Sequence, residues 1–511
     1  MNTWFRKTRY PHIGRPLYES DRNWVFGYVQ NPNKIEQHSF LPFLHATLYQ
    51  HKYKKVYDPF TDELQNNGDR KHTTKARDIY YATHLDANIY RYYAQILNEK
   101  YNSSLQARGL NRVVTAYRKI IDPKFKKGMS NIDFAEEIFN FIRKSDIEDL
   151  VAVTFDIKSF FDNIDHKILK EVWKRVLKVS KIPNDHYKIF KNITQFSYIN
   201  TEDIFNEFKN ELIIVSPSGA ITKKKVNKQK YLKNNNVIAF CEKSQFKEKV
   251  RQKGLIKSNK YIKSENGITV RGRGIPQGSP ISAVLANMYL FDFDLVINEE
   301  VKEVGGLYRR YSDDIVIVCD KSSHEYLKYL IQHNIRKLKL EIQDSKTQSF
   351  IFTRNFDSQR TCNKLTDSGK LSNRKRFQYF GFEFDGQNTY LKSSSLAKFY
   401  RRMKKSIRRG AFYAEYSKYS QGHGKVFRTR LYNRFSYLGA KRKLKWQIKS
   451  RNPIKYERVK VHDWGNYLSY AKKAHFRMKN SKIKHQLRNH WKFLNAGIEN
   501  AERRIRSREK S

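Results

Sequence analysis

The sequence predicts a mixed α+β protein, and three kinds of pattern support that class. Residues 306–318 alternate between apolar and polar side chains up to Tyr311 and continue as a β-branched run after Asp314, which is typical of a β-hairpin. Residues 150–155 form a second short apolar run, typical of a buried strand. Apolar residues with helical spacing lie between these runs and fill most of the chain after residue 393.

The first part of the chain is predicted to be an extension followed by alternating elements. Residues 1–75 lack clear periodicity, with loops expected at 51–55 and 62–71, and are interpreted as an extension that binds RNA or a second subunit. A helix is predicted over 78–100, then a strand over 109–119 with a basic tip. A further helix over 131–143 begins after Ser130 as its N-cap.

The middle of the chain contains a long polar stretch between two clear helices. Asp156 directly follows the strand at 150–155, and Asp165 is predicted to cap the helix after it. Residues 181–270 are rich in lysine and asparagine, contain strand-like pieces at 212–215 and 237–240, and are predicted to be an insertion. Ser279 as N-cap and Pro280 are then predicted to start a helix over 281–298.

After the hairpin at 306–318, the pattern predicts a helix, several strands and a basic helical region. The helix is expected around 326–335, and strands are expected over 338–342, up to Phe352 and over 377–384. Asp385-Gly386 is predicted to close the last strand with a turn. These patterns divide the chain at 1–75, 76–395 and 396–511.

The charge of the chain is its strongest compositional signal. Its 511 residues include 101 Lys and Arg against 50 Asp and Glu, for a formal charge of +51, which excludes an ordinary soluble enzyme and calls for a polyanionic partner. High aromatic content, with 33 Tyr and 33 Phe, favours nucleic acid over an anionic membrane because bases stack on aromatic faces. No membrane-spanning run, no signal peptide and three isolated cysteines predict a reduced, cytoplasmic protein without a membrane partner.

Three carboxylates, Asp156, Asp313 and Asp314, are predicted to lie at strand ends. Adjacent carboxylates repel each other unless a cation lies between them, and Mg²⁺ prefers oxygen ligands. If folding brings the three together, they would hold two Mg²⁺ ions roughly 3.5–4 Å apart, the arrangement used in phosphoryl transfer. The alternative is an acidic turn that faces solvent.

Basic side chains would have to hold the triphosphate in such a site. Arg118 and Lys119, on the strand predicted before the first aspartate, are the candidates for that role. Lys346 is a candidate general acid toward pyrophosphate. For Arg118 and Lys346 the alternative is an ordinary surface cation.

The order of these features resembles motifs A to E of reverse transcriptases. The motifs are the strand before Asp156, Pro-Gln-Gly-Ser-Pro at 276–280, Tyr-Ser-Asp-Asp at 311–314, Lys-Thr at 346–347 and Phe-Gln-Tyr-Phe-Gly at 377–381. The resemblance covers about residues 78–395 and is strongest to the bacterial group of intron, retron and phage-defence enzymes. It implies a right-hand polymerase fold with fingers and an antiparallel palm over 76–395, and a helical thumb with a basic extension over 396–511.

The resemblance also implies roles for individual residues. Phe161 would be the aromatic gate that excludes a ribose 2′-hydroxyl, and Gln277 would contact the incoming nucleotide. Phe380 and Gly381 would belong to the primer grip. The metal ligands would be Asp156, the backbone of Ile157, Asp313 and Asp314.

Among these enzymes the chain is most similar to the defence-associated "unknown group". The insertion after motif A, the basic tail and the segments at 116–118 and 131–135 carry that similarity. Neither the Val-Thr-Gly element of retron enzymes nor a zinc-type HNH endonuclease is present. The similarity implies an enzyme that uses dNTPs and an RNA template to make DNA, works with a structured non-coding RNA and acts against phage. It leaves a homo-oligomer open.

Two other functions stay open from the sequence. An RNA-dependent RNA polymerase shares the palm, and Asp162 lies where such an enzyme has a ribose-sensing acid, although Phe161 and Pro-Gln-Gly argue against it. An RNA-binding scaffold with an inactive palm is the non-enzymatic alternative. The presence of all three aspartates and of Lys346 counts against it.

Overall fold

The structure is a computed structural model of the chain. It describes residues 4–58, 63–65, 70–216, 218–264, 267–355, 357, 359–416, 424–440, 444–449, 452–462 and 465–509. Residues 66–68, part of one loop expected from the sequence, lie outside the described residues. Within the described part of the chain, no helix is long and apolar enough to cross a membrane.

The strands of the described residues are short, apart from two long pairs. In chain order they are β1 (His12–Ile13), β2 (Phe43–Lys55), β3 (Arg70–Tyr81), β4 (Leu150–Asp156), β5 (Ser197–Asn200), β6 (Leu212–Val215), β7 (Ile221–Lys224), β8 (Val237–Cys241), β9 (Lys257–Ser258), β10 (Tyr261–Ser264), β11 (Gly267–Val270), β12 (Leu307–Tyr311), β13 (Asp314–Asp320), β14 (Gln348–Arg354), β15 (Arg360–Leu365), β16 (Leu371–Ser372), β17 (Phe377–Tyr379), β18 (Phe382–Phe384), β19 (Thr389–Leu391), β20 (Leu444–Lys449) and β21 (Asn452–His462).

Helices contribute the larger share of the described chain. They are α1 (Arg22–Val29), α2 (Pro32–Glu36), α3 (His84–Ala107), α4 (Asn131–Lys144), α5 (Phe160–Asn163), α6 (His166–Leu177), α7 (Asn184–Thr194), α8 (Thr201–Phe208), α9 (Lys243–Gln245), α10 (Ser282–Tyr289), α11 (Phe291–Glu303), α12 (His324–Lys337), α13 (Ser393–Glu415), α14 (Arg428–Phe435), α15 (Tyr467–Arg477), α16 (Ile483–Gln486) and α17 (His490–Glu509). Strands and helices alternate along most of the chain, so the predicted α+β class is confirmed.

The chain forms two compact units, each built from two segments. The first unit contains residues 1–120 and 153–348, and the second contains residues 121–152 and 349–511. The division at 75/76 and 395/396 that the sequence suggests stays a prediction.

The first unit contains the hairpin of β12 and β13, which we call the acidic hairpin, together with several helices. β12 pairs with β13 in an antiparallel register, and β13 lies next to β4 in the same sheet. α3, α6 and α10 pack against one another. Separate sheets of the unit follow the orders β3-β2-β5-β9 and β1-β8-β6-β7. The second of these packs on a core that includes Phe205, Phe208 and Leu212.

The second unit is mainly helical. α13 packs against α17, and Phe399, Met403 and Ile407 of α13 meet Leu494 and Ile498 of α17 in one apolar cluster. A three-stranded sheet is formed by β17, β18 and β19, and an antiparallel pair by β14 and β15. β20 and β21 form another antiparallel pair, and the described residues after 393 are otherwise mostly helical, as expected.

Most elements with a strong apolar pattern form as predicted. β4, the hairpin of β12 and β13, α4, α6, α12, β6, β8 and β14 all lie where the sequence places them. Asp165 caps α6 as expected, since its carboxylate accepts hydrogen bonds from the backbone N–H of Lys167 at 2.9 Å and Ile168 at 3.0 Å.

The predicted loop at 51–55 is wrong, and the loop predicted at 62–71 is confirmed at residues 63–65 but wrong at residues 70–71. Residues 51–55 belong to β2, and residues 70–71 begin β3. These strands are solvent-exposed on both faces over most of their length, so neither face needs to be apolar. The alternation that marks a half-buried strand is therefore missing. The helix expected from residue 78 begins only at His84, because residues 78–81 are the end of β3.

Four other expectations are wrong in detail. Residues 109–119 form turns with one isolated bridge between Val114 and Arg310. Residues 338–342 form no strand, and the helix expected over 281–298 is split into α10 and α11 at Leu290. It also starts after Ile281 as N-cap rather than at Ser279. The single strand expected over 377–384 is a hairpin of β17 and β18.

A buried ion pair stabilises the hairpin of β12 and β13. Arg310 of β12 and Asp294 of α11 are both fully buried, with Nη2 and Oδ2 at 2.6 Å. The Arg310 guanidinium also donates to the carbonyl oxygen of Ser312 in the turn at 3.1 Å and to that of Asn287 at 3.2 Å. Burial alone would lower the pKa of Arg310, but the charge and hydrogen bonds of Asp294 raise it above its ordinary value. This pair was not predicted from the sequence.

Removing the carboxylate of this pair should destabilise the fold. Asp294→Ala leaves the Arg310 charge buried without its counter-ion, and we expect the free energy of unfolding to fall by about 3–5 kcal/mol. The control is Asp292→Ala on the same helix, whose ion pair with Arg175 is about half exposed and should contribute under about 1 kcal/mol. Urea unfolding of both variants checks the difference. Equal losses in the two variants would contradict it.

Candidate active site

The tip of the acidic hairpin is a two-residue turn. Tyr311 pairs with Asp314 across the strands, which leaves Ser312 and Asp313 as the loop. Ser312 has φ of 60°, a left-handed conformation that suits the tight turns of hairpins. Ser312 is buried, Asp313 is half-buried and Asp314 is exposed. The two aspartates thus have different surroundings although they are adjacent in sequence.

Asp156 lies beside this turn. β4 is the neighbour of β13 in the sheet, and Asp156 is the last residue of β4. The backbone N–H of the next residue, Ile157, donates to the carbonyl oxygen of Asp313 at 3.1 Å. The structure therefore brings Asp156, Ile157 and Asp313 together.

Lys346 also reaches this place. Its Nζ lies 2.5 Å from Oδ1 of Asp156. The loop before it is fixed beside the end of β4, because the N–H of Gln343 donates to the Asp156 carbonyl oxygen at 2.8 Å and the N–H of Lys158 donates to Glu341 at 2.9 Å. A one-turn 3₁₀ helix over Asp344–Lys346 then turns the ammonium group toward the carboxylate.

The surroundings of Asp313 disfavour its charged form. Burial raises the pKa of Asp313 above its ordinary value, and the charge of Asp156 raises it further, while Lys346 acts in the opposite direction. The ionised form is thus disfavoured in the folded protein, whose stability falls as the pH rises through this elevated pKa. A cation bound between the carboxylates would remove the penalty.

The donor atoms fit a hard divalent cation in part. Asp156 and Asp313 offer carboxylate oxygens and Ile157 offers a backbone carbonyl, the ligand types that Mg²⁺ takes together with water and phosphate. Among the described residues, however, no three His, Cys, Asp or Glu side chains are grouped closely enough to form a metal site on their own. Metal binding by Asp156, Asp313 and Asp314 therefore stays a prediction.

A glycine-containing loop at 272–278 lies against the residues that follow Asp156. The N–H of Ile275 donates to the carbonyl oxygen of Phe161 at 2.9 Å, and the N–H of Gly274 donates to Ile164 at 2.8 Å. Gly274 has φ of +95°, and a Cβ there would lie 2.9 Å from the carbonyl oxygen of Asp162. Only glycine allows this close approach. Phe161 is half-buried beside the loop.

The backbone of Gln277 is hydrogen-bonded to the C-terminal end of β3. Its carbonyl oxygen accepts a hydrogen bond from the N–H of Tyr80 at 2.8 Å, and the side chain is half-buried. Gly278 has φ of +110°, and a Cβ there would lie 2.8 Å from the carbonyl oxygen of Tyr80. The backbone of this loop is therefore fixed at both ends, by Phe161 and by Tyr80.

Comparison with protein families identifies this region. Residues 227–384 match the family model described as reverse transcriptase (RNA-dependent DNA polymerase). These residues thus resemble a reverse transcriptase domain. The match includes Gln277, the acidic hairpin and Lys346 and ends after the hairpin of β17 and β18. It supports the predicted polymerase fold and the predicted class of enzyme, an RNA-directed DNA polymerase.

Solved structures of telomerases also resemble the chain. The apo telomerase from Candida tropicalis, truncated from its C-terminal domain, shares 11% identity over 73% of this chain and 59% of that chain, with a TM-score of 0.35. The telomerase from Candida albicans in complex with a TWJ fragment of telomeric RNA shares 14% identity over 79% of this chain and 58% of that chain, with a TM-score of 0.33. The chain thus spans less than two thirds of either telomerase. A comparison with curated proteins found no match.

The Arg118 side chain stabilises the turn around it. Its guanidinium donates to the side chain of Asn102 at 2.6 Å, to the carbonyl oxygens of Asn111 and Val114 at 2.9 and 2.7 Å, and to the Asn111 side chain at 2.7 Å. These bonds occupy most of its N–H groups. Lys119 is exposed. Binding of the triphosphate by either residue stays a prediction.

Phe380 and Gly381 form the turn between β17 and β18 in the second unit. Both have positive φ values, 49° and 102°, as a two-residue hairpin turn requires. The Phe380 ring packs on Tyr379 with centroids 4.0 Å apart, and the carbonyl oxygen of Gly381 accepts from Lys392 at 2.8 Å. Their assignment to a primer grip stays a prediction.

The conformation of the loop at 272–278 can be tested with two glycines. Gly274→Ala forces a Cβ against the Asp162 backbone at positive φ, which should lower the free energy of unfolding by about 1–3 kcal/mol and weaken dNTP binding. Gly272→Ala is the control, since nothing lies within 4 Å of a Cβ at that position. Thermal melting and dNTP titration measure both effects. A Gly274→Ala variant that behaves like the control would contradict the assigned conformation.

Proposed function

We propose that the protein is a reverse transcriptase that synthesises DNA on an RNA template by two-metal nucleotidyl transfer. The observation that carries this proposal is the position of Asp156 at the end of β4 and of Asp313 in the turn before the adjacent strand β13, with Lys346 in contact with Asp156. Two half-buried carboxylates and an ammonium group at one sheet end fit a site for a cation and a polyphosphate. The match over residues 227–384 supports the class of reaction.

The proposed chemistry divides between the bound ions and the chain. When bound, Mg²⁺ would supply activation of the attacking 3′-hydroxyl and neutralise charge on the phosphates. Asp156 and Asp313, with Asp314 and the carbonyl oxygen of Ile157, would hold those ions. Lys346, released from Asp156 once the carboxylate has another cation, would donate a proton to the pyrophosphate oxygen as it leaves.

Residues of the neighbouring loop would recognise the nucleotide. Phe161 is placed by the hydrogen bond between its carbonyl oxygen and Ile275, and its ring would close the space beside C2′ of the sugar. Gln277, held through Tyr80, would contact the incoming dNTP. Arg118 and Lys119 would strengthen the positive potential for the triphosphate, with Lys119 as the more accessible of the two.

The biological setting is proposed from charge and from sequence similarity. A formal charge of +51 fits a chain that keeps an RNA bound, and we propose a structured non-coding RNA as that partner. Resemblance to defence-associated reverse transcriptases supports a cytoplasmic role against phage. Residues 181–270 carry part of that resemblance, and where the structure describes them they form strands β5 to β11 and helices α7 to α9 within the first unit.

Removing the acidic doublet tests the reaction directly. We expect Asp313→Ala with Asp314→Ala to reduce dNTP incorporation on a primed RNA template by about a thousandfold or more, because the charge that would hold the ions is lost. Asp320→Ala, at the other end of β13, is the control and should keep its activity. Incorporation is measured with the co-purified RNA present. A double variant that still polymerises would show that the site lies elsewhere.

Discrimination between dNTPs and rNTPs separates this proposal from an RNA-dependent RNA polymerase. We expect the wild-type protein to prefer dNTPs, and Phe161→Ala to raise rNTP incorporation about tenfold or more, because an opened pocket admits the 2′-hydroxyl. Phe161→Tyr keeps the ring and should keep the preference. A wild-type protein that prefers rNTPs would favour the RNA polymerase instead.

A further inference from the structure

A long β-ribbon in the first unit lies largely outside the sheet that anchors it. We call the paired strands β2 and β3 the ribbon. They form twelve antiparallel pairs, from Leu44 with Tyr81 to Lys55 with Arg70. β5 pairs only with Phe43–His45 at the base. The remaining ten pairs extend roughly 33 Å at about 3.3 Å per residue.

One face of the ribbon is lined with rings. Cross-strand partners share a face, and residues two apart in a strand do so as well. This face carries Tyr49, His51 and Tyr53 of β2, with His72 of β3 opposite Tyr53. His51 and His72 stack at 5.3 Å and 15°, and Tyr53 lies 4.8 Å from His72. Together these four residues are the aromatic face.

The other face carries most of the charge. It contains Lys52 and Leu48 of β2 and Lys71, Lys75 and Arg77 of β3. Lys55 and Arg70 form the last pair at the tip. Counted over both strands, seven Lys and Arg residues stand against one acidic residue, Asp78. The ribbon is thus positive along its length and aromatic on one side.

Exposure of the rings requires an explanation. Tyr49 is 66% exposed and Tyr53 is 63% exposed, so two large rings on one face of the ribbon are open to solvent. A second copy of the ribbon is a poor partner, because seven positive charges would face seven others. Duplex RNA is also a poor match, since its bases are stacked inside and its deep groove is too narrow for side chains. Unpaired bases can stack on such rings while their phosphates attract the cations.

We infer that the aromatic face of the ribbon binds single-stranded RNA by base stacking, with the basic residues of the ribbon neutralising its phosphates. This surface is formed by other elements than the carboxylates of the proposed active site. It gives the chain a contact with unpaired nucleotides that does not depend on polymerisation.

Paired substitutions on the two faces test this inference. We expect Tyr49→Ala with Tyr53→Ala to raise the Kd for a labelled oligouridine about tenfold or more, since stacking on one ring is worth about that factor. Tyr49→Phe with Tyr53→Phe keeps both rings and should bind like the wild type. Leu48→Ala with Gln50→Ala, on the opposite face, is the matched control and should leave the Kd unchanged. Fluorescence anisotropy on the full chain measures all four proteins.

Crosslinking locates the contact on a chain that has many other basic residues. Ultraviolet crosslinking of the wild-type protein to 4-thiouridine RNA, followed by mass spectrometry, should yield adducts at Tyr49, Tyr53 or His72. Unchanged affinity of the alanine variant together with adducts only elsewhere would overturn the inference. Equal competition by double-stranded RNA, or a loss of self-association in the alanine variant with no loss of RNA affinity, would also overturn it.

Failure of this inference can be told apart from failure of the proposed function. The variant Asp313→Ala with Asp314→Ala should bind the oligouridine as the wild type does. If the ribbon variants bind normally while wild-type dNTP incorporation is intact, only the ribbon assignment is lost. If incorporation is absent and the ribbon variants lose affinity, the ribbon assignment stands without the polymerase.

Discussion

The candidate active site depends on two carboxylates of like charge that the sheet forces together. Asp156 ends β4 and Asp313 occupies the turn before β13, and adjacency of these strands fixes the side chains near each other. Burial and repulsion from Asp156 raise the pKa of Asp313, and the charge of Lys346, which contacts Asp156, acts in the opposite direction. This arrangement is the basis of the proposed site for a cation and a substrate of high negative charge.

The hairpin of β12 and β13 is stabilised by buried residues of the core. Arg310 bonds to Asp294 and to the carbonyl oxygen of Ser312, so a fully buried ion pair holds the turn that carries Asp313. A buried pair of this kind contributes little net stability, but either charge alone in the core would be strongly unfavourable. The geometry of the turn is therefore tied to the integrity of the core of the first unit.

Local apolar runs were sufficient to predict the elements around the aspartates. The strands at 150–155 and 315–318 are buried, and their apolar composition therefore predicts them. Asp165 predicts the start of the following helix because it is the N-cap. The ribbon was missed because neither of its exposed faces must be apolar. The ion pair of Arg310 was not predicted because Asp294 comes close to it only when the chain folds. Arg310 lies two residues after Tyr308, so both side chains point to the buried side of β12, and an arginine at such a position indicates a buried counter-ion. The positive φ values of Ser312 and Gly274 could not be predicted either, because they depend on the conformation of the folded turns.

The most direct test is a crystal of the protein grown with Mn²⁺ in place of Mg²⁺ and examined by anomalous scattering. We expect a peak within bonding distance of both Asp156 and Asp313, with Lys346 moved away from the Asp156 carboxylate. The same crystal of Asp313→Asn should show a weaker peak or none. A wild-type crystal with no peak there, and with the contact between Lys346 and Asp156 intact, would contradict the central claim.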